Sequence, residues 1–195
     1  GDFTVELWYY KTAAPSTTDG LVSWNYLSGV HLAENTTGIF VWVGGTEIFT
    51  TSTQMELNEW NHLAVTRSGT TAKLFLNGSE VGSTTSTGSV SANALQIGAS
   101  THNTGEAANG YISNVRLVKG TALYTTDFDV PTEPLTAVSG TSLLTCQDAV
   151  FQDNSGNAHA ITVNGDAKAS TNIPFDAVTY GVEQYLDDAY TVSPQ

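Results

Sequence analysis

Apolar and polar residues alternate along much of the first 119 positions. In the opening run, Phe3, Val5, Leu7 and Tyr9 fall on one side, the two-residue period of a half-buried strand. Further strand-like runs occupy residues 21–27, 39–43 and 47–51, separated by Asp-Gly, Thr-Gly and Gly-Gly breaks. Residues 60–67 and 72–77 form the clearest pair, joined through Ser68-Gly69-Thr70. Asn77-Gly78 predicts a type I′ turn, because both central residues of that turn need positive φ, with residues 80–83 as the returning strand. Residues 95–98 and 110–119 complete the series. Many short antiparallel strands at this spacing predict an all-β sandwich of the jelly-roll type, built from two antiparallel sheets.

After Gly120 the pattern changes. Pro131 and Pro134 interrupt a stretch without periodicity, which predicts a loop crossing the sandwich surface. Alternation resumes at 142–146 and 158–163, with Asn164-Gly165 as a further turn signal. The last segment reads differently: Val182, Tyr185, Leu186 and Ala189 recur at i, i+3, i+4 and i+7, one face of a short helix, with Glu183, Asp187 and Asp188 off that stripe. The expected division is a sandwich over 1–175 and a C-terminal tail over 176–195, the stripe offering a contact to another copy or an adjoining segment.

Composition agrees with strands. Thr, Ser and Gly fill about a third of the chain, charged residues only 13%, and there is one Met. Six Lys and Arg stand against 19 Asp and Glu, a formal charge of −13. Such a balance excludes a nucleic-acid clamp, which needs clustered cations on phosphates, and argues against docking on anionic lipid. No run is long and apolar enough for a membrane-spanning helix. The single cysteine, Cys146, excludes an intramolecular disulfide framework and a cysteine-based zinc site. The first residues, Gly1-Asp2-Phe3-Thr4, have neither an initiator Met nor a signal-peptide layout, as expected of a cut fragment.

Several segments together resemble the laminin-G-like domains of the concanavalin A-like superfamily. Residues 2–8 resemble that family's opening strand, 59–67 with 73–78 its central hairpin, and 95–98 with 110–116 its late Ile-Gly and Val-Arg strand. A narrower resemblance runs through 118–124, 134–146 and 153–166, to modules in virion proteins of tailed phages, especially marine ones. In many laminin-G-like domains a Leu-Leu followed by Asp-x-Ser-Gly opens the domain, so residues 142–169 are expected to supply the strands missing before Phe3. The resemblance implies a non-enzymatic module on the exterior of a virion, for host attachment or capsid decoration. Its expected partners are other virion proteins, copies of itself and a host surface glycan. A purely structural decoration protein and a bacterial, extracellular carbohydrate-binding or adhesion domain are the alternatives.

Because the superfamily contains glucanases, catalysis needs its own test. A retaining glycosidase holds two carboxyl groups ~5–5.5 Å apart, and i, i+2 acids on a strand would supply them. Asp127 and Asp129 alone have that spacing, outside the strands, so no catalytic residue is expected. For sugar binding, Trp24, Tyr26 and Trp42 offer faces for stacking, with His31 and Asn35 nearby for hydroxyls; the competing role for the tryptophans is core packing. Trp8 and Trp60 lie in family motifs and are expected to be structural, as is His62. Asp153, Asn154 and Asn157 cluster oxygens that suit calcium, the one candidate cofactor, against the alternative of an Asx turn in which they bond their own backbone.

Overall fold

The computed structural model describes residues 1–25, 28–90, 95–101 and 106–175. Eleven strands run through it: β1 Phe3–Lys11, β2 Thr18–Ser23, β3 Val30–Asn35, β4 Ile39–Val43, β5 Thr46–Thr50, β6 Trp60–Ser68, β7 Thr71–Leu76, β8 Ser79–Thr85, β9 Gln96–Ile97, β10 Gly110–Lys119 and β11 Thr141–Thr145. They form two antiparallel sheets, a six-stranded one ordered β11-β10-β1-β6-β7-β8 and a five-stranded one ordered β5-β4-β3-β2-β9. No helix occurs among the described residues.

Between the sheets lies the core predicted from alternation. Phe3, Val5, Leu7 and Tyr9 of β1 point into it with Leu63 and Val65 of β6 and Leu74 of β7. Leu32 of β3 and Ile39, Val41 and Val43 of β4 face them from the other sheet. At the β7–β8 turn, Asn77 and Gly78 take φ values of 50° and 80°, the type I′ geometry. Gly78 is needed twice over, because Phe128 donates its N–H to the Gly78 carbonyl at 2.9 Å and a Cβ there would lie 2.1 Å from the Phe128 carbonyl oxygen.

Several expectations are corrected. The alternation over 21–27 does not persist: β2 ends at Ser23, and Asn25 turns the chain with φ 42° while its carbonyl accepts from the amides of Ser28 and Gly29. β3 carries no obvious strand signal, because Glu34 occupies its inward face where an aliphatic residue would announce a core. Residues 158–163 form no strand, so of residues 142–169 only the stretch within β11 joins a sheet. The non-periodic stretch after Gly120 does cross a sheet face, as described next. The expected tail over 176–195, with Val182, Tyr185, Leu186 and Ala189, and the Tyr26 position lie outside the described residues.

Candidate functional site

A sandwich has two outward sheet faces, and here they differ. The outward face of the six-stranded sheet carries Thr4, Glu6, Trp8 and Tyr10 of β1, with His62 of β6 and Arg116 of β10 beside them. Residues 121–136 cover the part around Thr4, Glu6, His62 and Arg116, and Phe175 packs edge-on against Trp8. Tyr124 and Phe128 stack at 3.7 Å between ring centres and pack edge-on against His62 and Phe75. Glu6 is the anchor of this strap. Its Oε1 accepts from Arg116 Nε at 2.8 Å and Nη2 at 2.7 Å, while Oε2 accepts from the Tyr124 hydroxyl at 2.8 Å and lies 3.3 Å from His62 Nε2. Burial opposes the charge on Glu6, but the His62 hydrogen bond and the Arg116 guanidinium outweigh it and hold the carboxyl below its usual range. Burial and the Glu6 charge together push the Tyr124 phenol well up. Farther along, Asn114 takes φ 52° at the β10 bulge and accepts from the Leu135 amide and the Gln147 side chain. The strap closes this face over Thr4, Glu6 and His62, while at its far end Tyr10, Trp60 and Tyr111 form an edge-to-face aromatic cluster in which Tyr111 is exposed.

The outward face of the five-stranded sheet is different. Alternation along β4 turns Phe40 and Trp42 outward while Ile39, Val41 and Val43 fill the core. Across the ladders, Trp42 stands between His31 of β3 and Glu47 of β5, and Phe40 between Ala33 and Thr50. His31 is buried, its ring 5.5 Å from that of Phe40. Phe40 and Trp42 are half-buried, and Glu47, which accepts from the Thr50 hydroxyl, is exposed. The result is an apolar platform of two aromatic side chains with a carboxylate and hydroxyls at its border. No Lys or Arg occurs anywhere between Lys11 and Arg67, so the whole of β2 to β5 is free of cations.

The sequence candidates separate accordingly. Trp42 and His31 meet on this face. Trp24 does not: it is 5% exposed and packs in the hydrophobic core, so its expected role as a stacking platform is corrected to packing. Asn35 sits at the end of β3, where its Oδ1 accepts from the amides of Thr37 and Gly38, a turn-forming role. Phe40 and Glu47 were not among the candidates, although the alternation Ile39-Phe40-Val41-Trp42-Val43 already places Phe40 beside Trp42.

Asp153, Asn154 and Asn157 come together at the free edge of β11. Asp153 Oδ1 accepts from the Leu144 and Ser155 amides, and Oδ2 from the Ser155 hydroxyl and the His159 amide. The Asn157 amide donates to the Ser142 carbonyl at 3.0 Å and the Asn154 N–H to that of Leu144. Partial burial works against the Asp153 charge, but the amides of His159, Ser155 and Leu144 hold the carboxyl below its usual range. Both carboxylate oxygens are thus occupied by protein donors in an Asx-turn geometry, and among the described residues no group of three or more His, Cys, Asp or Glu could hold a metal ion. The turn instead caps a sheet edge that would otherwise be open to pairing with another chain. Asp153→Ala is expected to cost about 1 kcal/mol, the scale of a lost hydrogen-bonded acceptor, and to speed hydrogen exchange at the Leu144 amide.

One pair of acids was missed by spacing arguments because it is made between strands. Asp19 of β2 and Glu34 of β3 are register partners, 1% and 0% exposed. They lie inside the sandwich and not in a groove. Asp19 accepts from the Tyr9 hydroxyl at 2.8 Å, and Glu34 accepts from Lys11 Nζ at 2.9 Å and from the Met55 amide at 2.7 Å. Burial and the Asp19 carboxylate push the Tyr9 phenol strongly up. No sugar ring reaches these carboxylates. Asp127 and Asp129 are exposed on the strap, where Asp127 accepts from the Glu80 amide.

Comparison with known proteins agrees with this architecture. A laminin-G-type family model of the concanavalin A-like lectin/glucanases superfamily matches residues 1–124. No curated protein matches the chain. Among solved structures, a candidate carbohydrate binding protein from Bacteroides ovatus ATCC 8483 superposes with a TM-score of 0.56 at 16% identity, over 88% of this chain and 56% of that one. The heptameric SAP-like pentraxin of Limulus polyphemus gives 0.45 at 19% identity, over 60% and 63% of the two chains. Domain 4 of AbnA, a GH43 extracellular arabinanase of Geobacillus stearothermophilus solved with arabinotriose, gives 0.47 at 18% identity, over 60% and 59%. The chain therefore spans little more than half of the Bacteroides ovatus protein. At 16% identity the likeness to the Bacteroides ovatus protein is one of fold.

Proposed function

The chain belongs to the concanavalin A-like lectin/glucanase superfamily, and on that premise we propose that it is a non-enzymatic module that binds neutral glycan on the outward face of its five-stranded sheet. The observation that carries this reading is the pair Phe40 and Trp42, half-buried side by side on the outward face of β4 with the exposed Glu47 and Thr50 of β5 across the ladder. An aromatic face covers the C–H side of a sugar ring, while Glu47 and Thr50 accept or donate to its hydroxyls. The Bacteroides ovatus protein of the same fold is named for carbohydrate binding, in keeping with such a role.

Charge selects among glycans. A sialylated, uronate or sulfated sugar needs cations near its anionic group, and residues 12–66 contain none while carrying Asp19, Glu34, Glu47, Glu56 and Glu59. Neutral sugars meet no such barrier. The buried, internally bonded positions of Asp19 and Glu34 support a binding role over hydrolysis.

The setting we infer is the exterior of a tailed-phage virion, beside other virion proteins and copies of the chain, for host attachment or capsid decoration. The motif run through 118–166 supports it, and the identity of the neighbouring chains in an intact particle tests it. Binding itself is tested with immobilised glycans. Neutral oligosaccharides are expected to retain the protein and their sialylated or sulfated forms are not. Trp42→Ala should weaken retention roughly thirtyfold, the ~2 kcal/mol typical of a truncated aromatic anchor, with thermal unfolding little changed. Equal retention by Trp42→Ala and the unaltered chain would overturn the reading.

A further inference from the structure

At one end of the six-stranded sheet its middle strands outrun their neighbours. β7 begins to pair with β6 only at Leu63, and β11 with β10 only at Val115. The first residues of β6 and β10 and the last of β1 therefore form a tongue three strands wide. Across it Trp60, Tyr10 and Tyr111 are register partners, so their side chains stand in one row on the outward face. Tyr10 packs edge to face against both others, at 5.6 Å from Trp60 and 5.7 Å from Tyr111 between ring centres. Gly110 permits the row, because a Cβ there would lie 1.9 Å from the Tyr10 carbonyl oxygen and push β10 away from β1.

Cover stops short of this row. The strap crosses at Thr4, Glu6 and His62, and Phe175 packs on Trp8, the preceding outward residue of β1. Tyr111 is 38% exposed, and Tyr10 and Trp60 are half-buried. The hydroxyls of Tyr9 and Tyr124 are bonded to carboxylates, whereas those of Tyr10 and Tyr111 have no protein partner among the described residues. Charge narrows what fits here. Lys11 and Arg116 are buried in ion pairs with Glu34 and Glu6, while Arg67 and Lys119 pair in register with Phe3, roughly 23 Å along the strands from Tyr10. Glu59, just before Trp60, is exposed.

We propose that Tyr10, Trp60 and Tyr111 form a second site for neutral glycan, on the sheet opposite Phe40 and Trp42. The class of ligand rests on the proposed function, and the location on the cross-strand row. Ring surface covers the C–H side of a sugar, the two phenol hydroxyls donate to or accept from its hydroxyls, and Glu59 accepts from them while repelling acidic sugars. Because the two sites look out from opposite faces, one chain holds two glycan strands. On an immobilised glycan they reinforce each other.

Native mass spectrometry of the full chain, mixed with cellohexaose, laminarihexaose or mannohexaose, counts sugars per protein. With at least one of them the unaltered chain is expected to bind two, Trp42→Ala and Tyr111→Ala one each, and the double variant none. Each truncation should weaken its own site by roughly tenfold or more. The same sugar count in Tyr111→Ala as in the unaltered chain would overturn the second site and leave Phe40 and Trp42 standing. A single sugar, lost in Tyr111→Ala and kept in Trp42→Ala, would overturn the Phe40 and Trp42 site instead. No sugar on the unaltered chain would overturn both, and a dimer that Tyr111→Ala disperses would assign the row to self-association and overturn the second site. Independently of any change in the row, Trp42→Phe leaves Trp60 as the least buried indole, since Trp8 and Trp24 are 7% and 5% exposed. The same sugars should then slow acrylamide quenching of its emission; unchanged quenching would also overturn the second site.

Discussion

Lys11→Ala is expected to destabilise the protein by about 3–5 kcal/mol, the scale for removing one partner of a buried ion pair. Alternation along β1 carries Lys11 to the same inward side as Phe3, Val5, Leu7 and Tyr9, where it is nearly inaccessible. Its ammonium lies 3.1 and 2.9 Å from the two oxygens of Glu34. Removing it leaves Glu34 with one backbone donor, the Met55 amide, and no positive charge. Denaturant unfolding at neutral pH measures the loss, and for a chain of this size the melting temperature should fall by roughly ten degrees. Joint replacement, Lys11→Met with Glu34→Leu, should recover most of the stability, because a well-packed apolar pair avoids the cost of dehydrating both charges. A single variant within 1 kcal/mol of the unaltered chain would show that this pair is not buried in solution.

Glu6→Gln is expected to be nearly as costly, about 3 kcal/mol, because it leaves the Arg116 guanidinium under the strap without a counter-charge. The glutamine leaves one neutral acceptor oxygen where Glu6 offers two charged ones, so it can satisfy either Arg116 or the Tyr124 hydroxyl and not both, and Arg116 otherwise keeps its bond to the Thr136 carbonyl. The effect depends on pH with a definite sign. The folded-state pKa of Glu6 lies below its unfolded value, so its contribution is complete above the ordinary carboxylate range near ~4.3 and is lost as pH falls through the lowered folded value. Asp153 has the same sign at the β11 edge. Unfolding free energies should therefore drop steeply below about pH 4, and the drop should be smaller in Glu6→Gln. Cleavage within residues 121–136 by limited proteolysis should rise in parallel if the strap lifts first. Equal acid sensitivity in both proteins would remove Glu6 as the cause.

Legibility in the sequence followed how local each signal was. The β6–β7–β8 hairpins were readable because alternation and Asn77-Gly78 act within a few residues. The crossing stretch was readable from its prolines and lost periodicity, though not the face it covers, since that is chosen by Glu6 reaching Tyr124 across 118 positions. β3 escaped notice because Glu34 breaks its apolar side, and only Lys11 from the opposite sheet makes that position tolerable. Trp24 and Trp42 look alike in sequence, each flanked by β-forming residues. One is core and the other surface because β2 stops before Trp24 and turns at Asn25, whereas β4 runs through Trp42 with Val41 and Val43 holding its register.

By itself the sequence determined the all-β class, the inward set of β1, the I′ turn and the absence of cations from residues 12–66, because periodicity, turn chemistry and net charge are properties of short segments or of composition. Tertiary structure alone decided which part of a sheet face the strap covers, that Asp153 caps an edge, and that Asp19 and Glu34 meet inside the sandwich. Those outcomes depend on residues far apart in the chain being brought within a hydrogen bond of each other, and the distance between such residues is written in no local pattern.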